Sequence, residues 1–447
     1  RLPLIGPRIA DPERPQILPG KLLEPLARRG SEPPTDRALV FSRTHGALAA
    51  YAADPSDPAR LAPVWSRQVA AEPLLLRWTP DAAWLYFPEQ VGGYIERIDL
   101  ASGEAVWRAE RFDQLAADLP RRGRAAPAAD RGEDIVLPTG EPVSRNQVVI
   151  AMSDRTIALV ERSGRAVGLD AASGEVLWST LLPTDRVHDA DLSGGILAVA
   201  GSVPTRRPNA EAARSPSVVA LDARTGEQIH RLEDLPGDVG WLRLQPNGEA
   251  VAALFTEDAL GGSLVSVDLI DGRLRWTMTG EPAQGAHDAW VFGDDLYILS
   301  PARQLWLASA ETGALRPDPL DTRARLDRRQ TIHARRLGDD VLFTSGSGSV
   351  IFAPGGRLVG LDALENAGFG LPALVTRDRL VSLNADLPTG RTDGQRWFLS
   401  FLTPASAKLE EQLPMRLMTV PSAIAAIDGA VLVTTGDGTM VIRAPAE

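Results

Sequence analysis

The sequence contains no cysteine, and this single absence excludes several kinds of structure and site. A chain without cysteine forms no disulfide and offers no thiolate to a metal ion. It also attaches no haem through a Cys-x-x-Cys-His motif and carries no lipid on an N-terminal cysteine. The folded state must therefore be held together by non-covalent interactions alone.

Long apolar runs and an excess of basic residues are also missing. No stretch approaches the roughly 18–20 apolar residues that cross a bilayer, so we expect no direct membrane insertion. A net charge of −11 disfavours nucleic acid and anionic membrane as partners, because both attract a basic face. The chain opens with Arg1 instead of methionine, and we expect that an export signal preceded it.

One hairpin motif recurs along the chain: an apolar strand, an aspartate, three residues, a glycine, three residues and a ring-bearing residue. The four clear copies are Asp99-Gly103-Trp107, Asp170-Gly174-Trp178, Asp222-Gly226-His230 and Asp268-Gly272-Trp276. The aspartate can accept backbone N–H bonds at the turn, and glycine can adopt the left-handed conformation that the turn needs. Because the turn sets the register, each ring should reach the same place on an outer strand and cover the seam between two sheets.

Weaker copies of the motif extend the repeat over most of the chain. The outer-hairpin positions number eight and lie near Trp65, Trp107, Trp178, His230, Trp276, Leu315, Glu365 and Leu409. Short alternating strands such as residues 196–199 and 431–434 lie between them, with almost no helical periodicity. This pattern predicts an all-β fold, a β-propeller of four-stranded blades, with eight blades favoured and seven as the alternative. Residues 424–443 supply strands without an outer strand and should close the ring against N-terminal residues.

Two kinds of segment depart from the repeat. Residues 1–35 carry eight prolines, which predicts an extended N-terminal arm that is either a disordered leader or a strap on the propeller or on a partner. Residues 36–447 form the propeller, and we expect it to stay folded without the arm. Insertions at about 111–147 and 203–216 lengthen its connections, and insertions of this kind often meet partners.

The Asp-x-x-[Ser/Thr]-Gly-x-x-x-Trp hairpin resembles the PQQ-like repeat of quinoprotein alcohol dehydrogenases and of many non-enzymatic exported propellers. The resemblance covers roughly residues 38–443. In size and repetition the chain is similar to the BamB-like propeller of the outer-membrane β-barrel assembly machinery, which binds partners and catalyses nothing. The resemblance implies a periplasmic or extracellular location and other protein subunits as partners.

The residues required for quinone chemistry cannot be mapped onto this sequence. That chemistry uses a Ca²⁺ or similar ion held by oxygen ligands, an aspartate base and an aromatic floor under the quinone. The vicinal cysteine pair of the alcohol dehydrogenases is impossible here. We therefore assign no catalytic residue, no cofactor and no metal site from the sequence.

Two groups of residues remain candidates for binding. His188, His287 and His333 each fall at the beginning of a predicted inner strand, where they could bind a metal or a small acid, or instead bond to the backbone at a blade junction. Arg323, Arg325, Arg328 and Arg329 lie in a dense arginine segment that is either a strip for docking partners or anions, or a solvated connection among aspartates.

These observations favour a non-enzymatic propeller that acts as a rigid scaffold for protein–protein interaction in an envelope or extracellular assembly. One alternative is a PQQ- or metal-dependent oxidoreductase. The other is a binding module for an anionic small molecule or a glycan.

Overall fold

The structure is a computed structural model. It describes residues 16–23, 36–55, 60–87, 93–109, 115, 135–136, 142–143, 148–184, 186–204, 214–233, 235, 237–245, 247–255, 262–320, 322, 332–337, 339–345, 348–361, 367–370, 374–375, 380–386, 397–403, 409–415, 421–427, 430–436 and 438–443.

These residues form β-strands joined by tight turns. The first strands are β1 (Gln16–Leu18), β2 (Lys21–Leu22), β3 (Arg37–Ser42), β4 (Ala47–Ala53), β5 (Leu61–Gln68), β6 (Leu74–Trp78), β7 (Ala82–Phe87), β8 (Tyr94–Asp99), β9 (Ala105–Arg108), β10 (Ile135–Val136) and β11 (Pro142–Val143). The central strands are β12 (Val148–Met152), β13 (Thr156–Glu161), β14 (Arg165–Asp170), β15 (Val176–Leu181), β16 (Arg186–Ser193), β17 (Ile196–Pro204), β18 (Arg214–Asp222), β19 (Gln228–Leu232), β20 (Asp238–Leu244), β21 (Glu249–Phe255), β22 (Ser263–Asp268), β23 (Leu274–Thr279), β24 (Asp288–Phe292), β25 (Asp295–Leu299) and β26 (Leu305–Ser309). The last strands are β27 (His333–Leu337), β28 (Asp340–Ser345), β29 (Gly348–Ala353), β30 (Arg357–Leu361), β31 (Ala367–Gly370), β32 (Leu374–Val375), β33 (Leu380–Asp386), β34 (Trp397–Leu402), β35 (Leu409–Met415), β36 (Ala423–Ile427), β37 (Ala430–Thr435) and β38 (Gly438–Arg443), with a 3₁₀ turn at Pro354–Gly356.

Consecutive strands pair antiparallel and form one small sheet after another. The sheets comprise β2–β5, β6–β9, β12–β15, β16–β19, β20–β23, β24–β26, β27–β30, β31–β35 and β36–β38 with β1, and β10 pairs with β11 as a separate ribbon. This repeating arrangement of four-stranded antiparallel sheets is the architecture of β-propeller blades, so the predicted fold class is confirmed.

The chain divides into two compact units. Unit one consists of Arg1–Phe87, Arg97–Ala105 and Asp321–Glu447, and unit two consists of Pro88–Glu96 and Val106–Leu320. Among the described residues, no helix has the length and apolar character needed to cross a bilayer.

In unit two the side chains of each strand alternate between two apolar clusters. On β17, Leu197 and Val199 pack towards β12–β15, whereas Ala198 and Ala200 pack towards β20–β23. This alternation follows from the two-residue period of a strand and buries both faces of the sheet. A third cluster joins β20–β23 to β24–β26 in the same way.

In unit one the two ends of the chain meet in a single sheet. Strand β1 pairs with β38, with Ile17 opposite Met440, as the closure predicted for residues 424–443 requires. Strand β2 adds to the next sheet, where Leu22 pairs with Val40.

The nine sheets of three or more strands among the described residues exceed the eight outer-hairpin positions by one. The additional sheet is β36–β38 with β1. Its outer strand, β1, comes from the other end of the chain, so no hairpin motif in the sequence marks this sheet.

Candidate functional site

The repeat turns have the geometry that the sequence pattern predicts. In each turn the Asp Oδ1 accepts the backbone N–H groups two and three residues later; at Asp170 the donors are Ala172 at 2.9 Å and Ser173 at 2.8 Å. The turn glycines have left-handed φ values of 71–76°, and they are Gly103, Gly174, Gly226 and Gly272. Asp99, Asp222 and Asp268 accept the equivalent bonds.

These bonds make the turn aspartates more acidic. The backbone N–H three residues later lowers the pKa of Asp99, Asp170 and Asp222 below the usual range, because it stabilises the charged carboxylate. The aspartates therefore support the turns best when they are ionised.

The aromatic residues of the repeat join neighbouring sheets. The indole of Trp178 lies on Gly226 of the next sheet, where a Cβ would come within 2.6 Å of the ring. Its Nε1 donates a hydrogen bond to the Ala223 carbonyl at 2.9 Å. The same packing recurs with Trp65 on Gly103, Trp107 on Gly174, His230 on Gly272 and Trp276 on Gly313. These rings thus lie between neighbouring sheets.

On the opposite edges of the sheets, Arg243 connects the first strands of three consecutive sheets in unit two. It lies on β20, and its Nη1 donates to Asp189 Oδ2 of β16 at 3.0 Å. Its Nη2 donates to Asp288 Oδ1 of β24 at 3.1 Å. The side chain is only 17 % exposed, and its Cζ lies 5.4 Å from the centroid of the Trp241 ring. One cation thus bridges two carboxylates across three sheets.

The carboxylates of β16 also bind the backbone of β20. Asp189 Oδ2 accepts the Leu242 N–H at 3.0 Å, and Asp191 Oδ2 accepts the Leu244 N–H at 2.8 Å. Burial raises the pKa of Asp189, although the charge of Arg243 acts in the opposite direction. These side chains satisfy the polar edge of the neighbouring strand, which would otherwise be left without partners in a half-buried position.

The predicted histidines lie at or directly before the beginnings of first strands. His188 is the third residue of β16 and half-buried, and His287 is exposed directly before β24. Partial burial, followed by the positive charge of Arg303, lowers the pKa of His287. His333 begins β27 in unit one, and its side chain lies outside the described residues. Arg323, Arg325, Arg328 and Arg329 also lie outside them.

The role of Arg243 was not predicted from the sequence, although its two aspartate partners lie in a repeated motif. The text His-Asp-Ala occurs at residues 188–190 and again at 287–289, and it contains Asp189 and Asp288. The structure assigns the bridging role to the aspartates rather than to the histidines.

Comparison with known proteins relates the repeats to a family. Residues 91–294 match the family described as Outer membrane protein assembly factor BamB. The matched segment is less than half of the chain, and it carries PQQ-like repeats. A curated relative of this propeller is the quinohemoprotein alcohol dehydrogenase ADH IIB of Pseudomonas putida, 28% identical over 212 residues. The match covers 45% of this chain and 28% of that enzyme's length.

Solved structures also resemble this propeller. The computationally designed Ika8 protein aligns with a TM-score of 0.50 and 12% identity, covering 82% of this chain and 94% of the designed one. BamB from Moraxella catarrhalis aligns with a TM-score of 0.42 and 15% identity, covering 80% and 93%. At such identities the likeness to the designed protein concerns the fold alone.

Asp189 and Asp288 do not fit as ligands of a metal-bound quinone. A Ca²⁺ ion needs several oxygen ligands, but Asp189 and Asp288 already share Arg243, and a cation at that place would repel the guanidinium. Within the part of the chain that the structure describes, no group of three or more His, Cys, Asp or Glu residues is arranged to hold a metal ion.

Proposed function

We propose that this protein is a non-enzymatic β-propeller that acts as a rigid scaffold for other protein subunits in an envelope or extracellular assembly. The observation that carries the proposal is the match of residues 91–294 to a family described as an outer membrane protein assembly factor. The pairing of Arg243 with Asp189 and Asp288 supports it, because these charges join the sheets and are not left for a ligand.

The insertion at residues 203–216 falls between two long paired strands. Strands β17 and β18 stay paired out to Pro204 opposite Arg214, at the ends of two nine-residue strands. A long connection of this kind, carried by a rigid sheet, is a suitable contact for a partner.

The proposal is tested by isolating the tagged full-length chain gently from its own source and measuring the intact complexes by native mass spectrometry. We expect stoichiometric protein subunits to co-purify with the chain. Isolation of the bare chain at every detergent and salt condition that preserves other envelope complexes would overturn the scaffold.

A second candidate function is oxidoreduction, and the 28% identity with a quinohemoprotein alcohol dehydrogenase over 212 residues favours it. That enzyme is much longer, since the match covers 28% of its length. The same isolated sample distinguishes the two functions by an absorbance scan for bound quinone and by metal analysis. A quinone or about one metal ion per chain, without co-purifying subunits, would establish the oxidoreductase instead.

A further inference from the structure

The large exposed apolar side chains of this protein are concentrated at one kind of position. Among the described residues there are eight, and each lies on an outer strand or in the turn directly before one: Ile17, Val64, Val106, Val176, Leu177, Ile229, Ile270 and Leu274. Single exposed apolar residues are ordinary on a protein surface, but such a concentration on edge strands is a liability unless something covers it.

In unit two, several of these residues lie beside the rings that join neighbouring sheets. The rings that lie on a glycine of the next sheet are Trp107 on Gly174, Trp178 on Gly226 and His230 on Gly272. An exposed apolar residue directly precedes each ring, and these are Val106, Leu177 and Ile229. An exposed charged residue directly follows each glycine, and the outer strand after it carries a further exposed apolar residue: Val176, Ile229 and Leu274.

The outer strands present side chains rather than a regular backbone edge. In β15, Trp178 pairs with Gly168 and Val176 with Leu169, so Leu177 is the extra residue of a β-bulge. In β19, His230 pairs with Ala220 and Gln228 with Leu221, which makes Ile229 the extra residue. Bulges interrupt the hydrogen-bonding edge and oppose the addition of another strand. A partner would therefore be held mainly by its side chains.

The charges beside these residues indicate the kind of partner. Glu175 and Glu227 are exposed and precede Leu177 and Ile229 by two residues each. The net charge of the whole chain is −11, so its long-range field also attracts a cation.

The nearby arginines have acidic neighbours of their own. Arg273 lies 3.4 Å from Asp271, Arg275 pairs with Asp268, and the charge of Arg224 acts on Asp222. Their positive charge at this surface is therefore partly offset by their own neighbours.

We propose that these outer strands form a docking surface, the acid–apolar rim, defined as Val106, Glu175, Val176, Leu177, Glu227 and Ile229. Its occupant is a basic polypeptide segment of a partner protein that carries apolar side chains between its lysines or arginines. The apolar side chains cover the rim, and the positive charges pair with the two glutamates. This inference rests on the proposed scaffold function and names the chemistry of the segment that the scaffold recognises.

The probe for the rim is a fluorescein-labelled synthetic peptide of alternating lysine and leucine, with a glutamate–leucine peptide as its acidic counterpart. We expect the basic peptide to bind the full-length chain saturably and more weakly at high salt, and the acidic peptide not to bind. Two variants should each weaken binding at least about tenfold. One combines Val106→Ser, Leu177→Ser and Ile229→Ser, and the other combines Glu175→Gln with Glu227→Gln. The control Glu281→Gln with Asp294→Asn removes two exposed charges of unit two away from the rim and should bind like the parent chain.

Two results would overturn the rim: no saturable binding of the basic peptide, or equal binding by the rim variants and the control. Self-association of the parent chain that the rim variants abolish, measured by sedimentation, would identify a second copy as the occupant and would also overturn it. Native mass spectrometry separates this inference from the scaffold itself. Complexes that survive the rim variants contradict the rim alone, whereas a parent chain without partners contradicts the scaffold.

Discussion

Trp178 shows how a single side chain joins two sheets. It is 7% exposed, belongs to the apolar cluster between β12–β15 and β16–β19, and donates to the Ala223 carbonyl. Trp178→Ala should lower the free energy of unfolding by about 3–5 kcal/mol, because it leaves a cavity at the seam. Trp178→Phe keeps a ring but loses the hydrogen bond and should cost less. Urea unfolding followed by circular dichroism measures both, and a loss below about 1 kcal/mol for the alanine variant would contradict the role at the seam.

Gly226 is required both for its backbone conformation and for the space that Trp178 occupies. Its φ is +71°, and a Cβ there would come within 2.6 Å of the indole. Gly280 is a matched control, because its φ is +74° and nothing lies within 4 Å of a Cβ. Gly280→Ala should cost about 1–2 kcal/mol from the left-handed backbone alone, and Gly226→Ala should cost clearly more. Equal melting temperatures for the two variants would show that the Trp178 indole can move away from a Cβ at position 226 without loss of stability.

The turn aspartates should make stability depend on pH in the acid range. Their pKa values are lowered in the folded state, so their contribution is present above the unfolded pKa of about 3.9 and is lost as pH falls through the folded values. We expect the free energy of unfolding to decrease on acidification below about pH 4. Asp170→Asn with Asp222→Asn keeps the acceptor oxygens but cannot titrate, so its decrease should be smaller. Identical pH profiles for both proteins would contradict this account.

One cation, Arg243, joins three of the first strands in unit two, β16, β20 and β24. Asp189 and Asp288 are 26% and 15% exposed, so removal of Arg243 leaves two partly buried carboxylates without their shared partner. Arg243→Met should cost about 3 kcal/mol, near the lower end for buried pairs because some water reaches them. Adding Asp189→Asn and Asp288→Asn should recover part of the loss. Thermal unfolding of the three proteins measures this, and no recovery would show that Arg243 acts through packing on Trp241 alone.

The N-terminal strands β1 and β2 are part of the folded structure of unit one. Leu18 and Leu22 are 2% and 1% exposed, and the Gln16 side chain exchanges two hydrogen bonds with the backbone of Leu61. Deleting residues 1–35 should therefore destabilise the closing sheet, which differs from the expectation from sequence that the propeller stays folded. Leu18→Ala should cost about 2–5 kcal/mol, whereas Ile17→Ala in the same strand, where the side chain is 55% exposed, should cost little. Similar losses for both variants in urea unfolding would contradict the pairing of β1.

The sequence predicted the hairpin turns of the repeat, because their hydrogen bonds join residues that are close together in the chain. The turn at Asp170 and Gly174 lies within one hairpin, so its spacing in the sequence specifies both the hydrogen bonds and the position of Trp178. Arg243 was not predicted because it is 54 residues from Asp189, and only the docking of two sheets brings them together. The sequence predicted that N-terminal residues close the ring, but it did not show which ones, because the three residues of β1 pair with the far end of the chain.

Across the whole molecule, we propose that the charged residues of the first strands join sheets and do not hold a redox cofactor. Calorimetric titration of the full-length chain with pyrroloquinoline quinone and Ca²⁺ tests this claim most directly. The account predicts no saturable heat of binding and no rise in melting temperature. Saturable binding that Asp189→Asn and Asp288→Asn abolish, while the variants remain folded, would contradict the account and make these strands an active site.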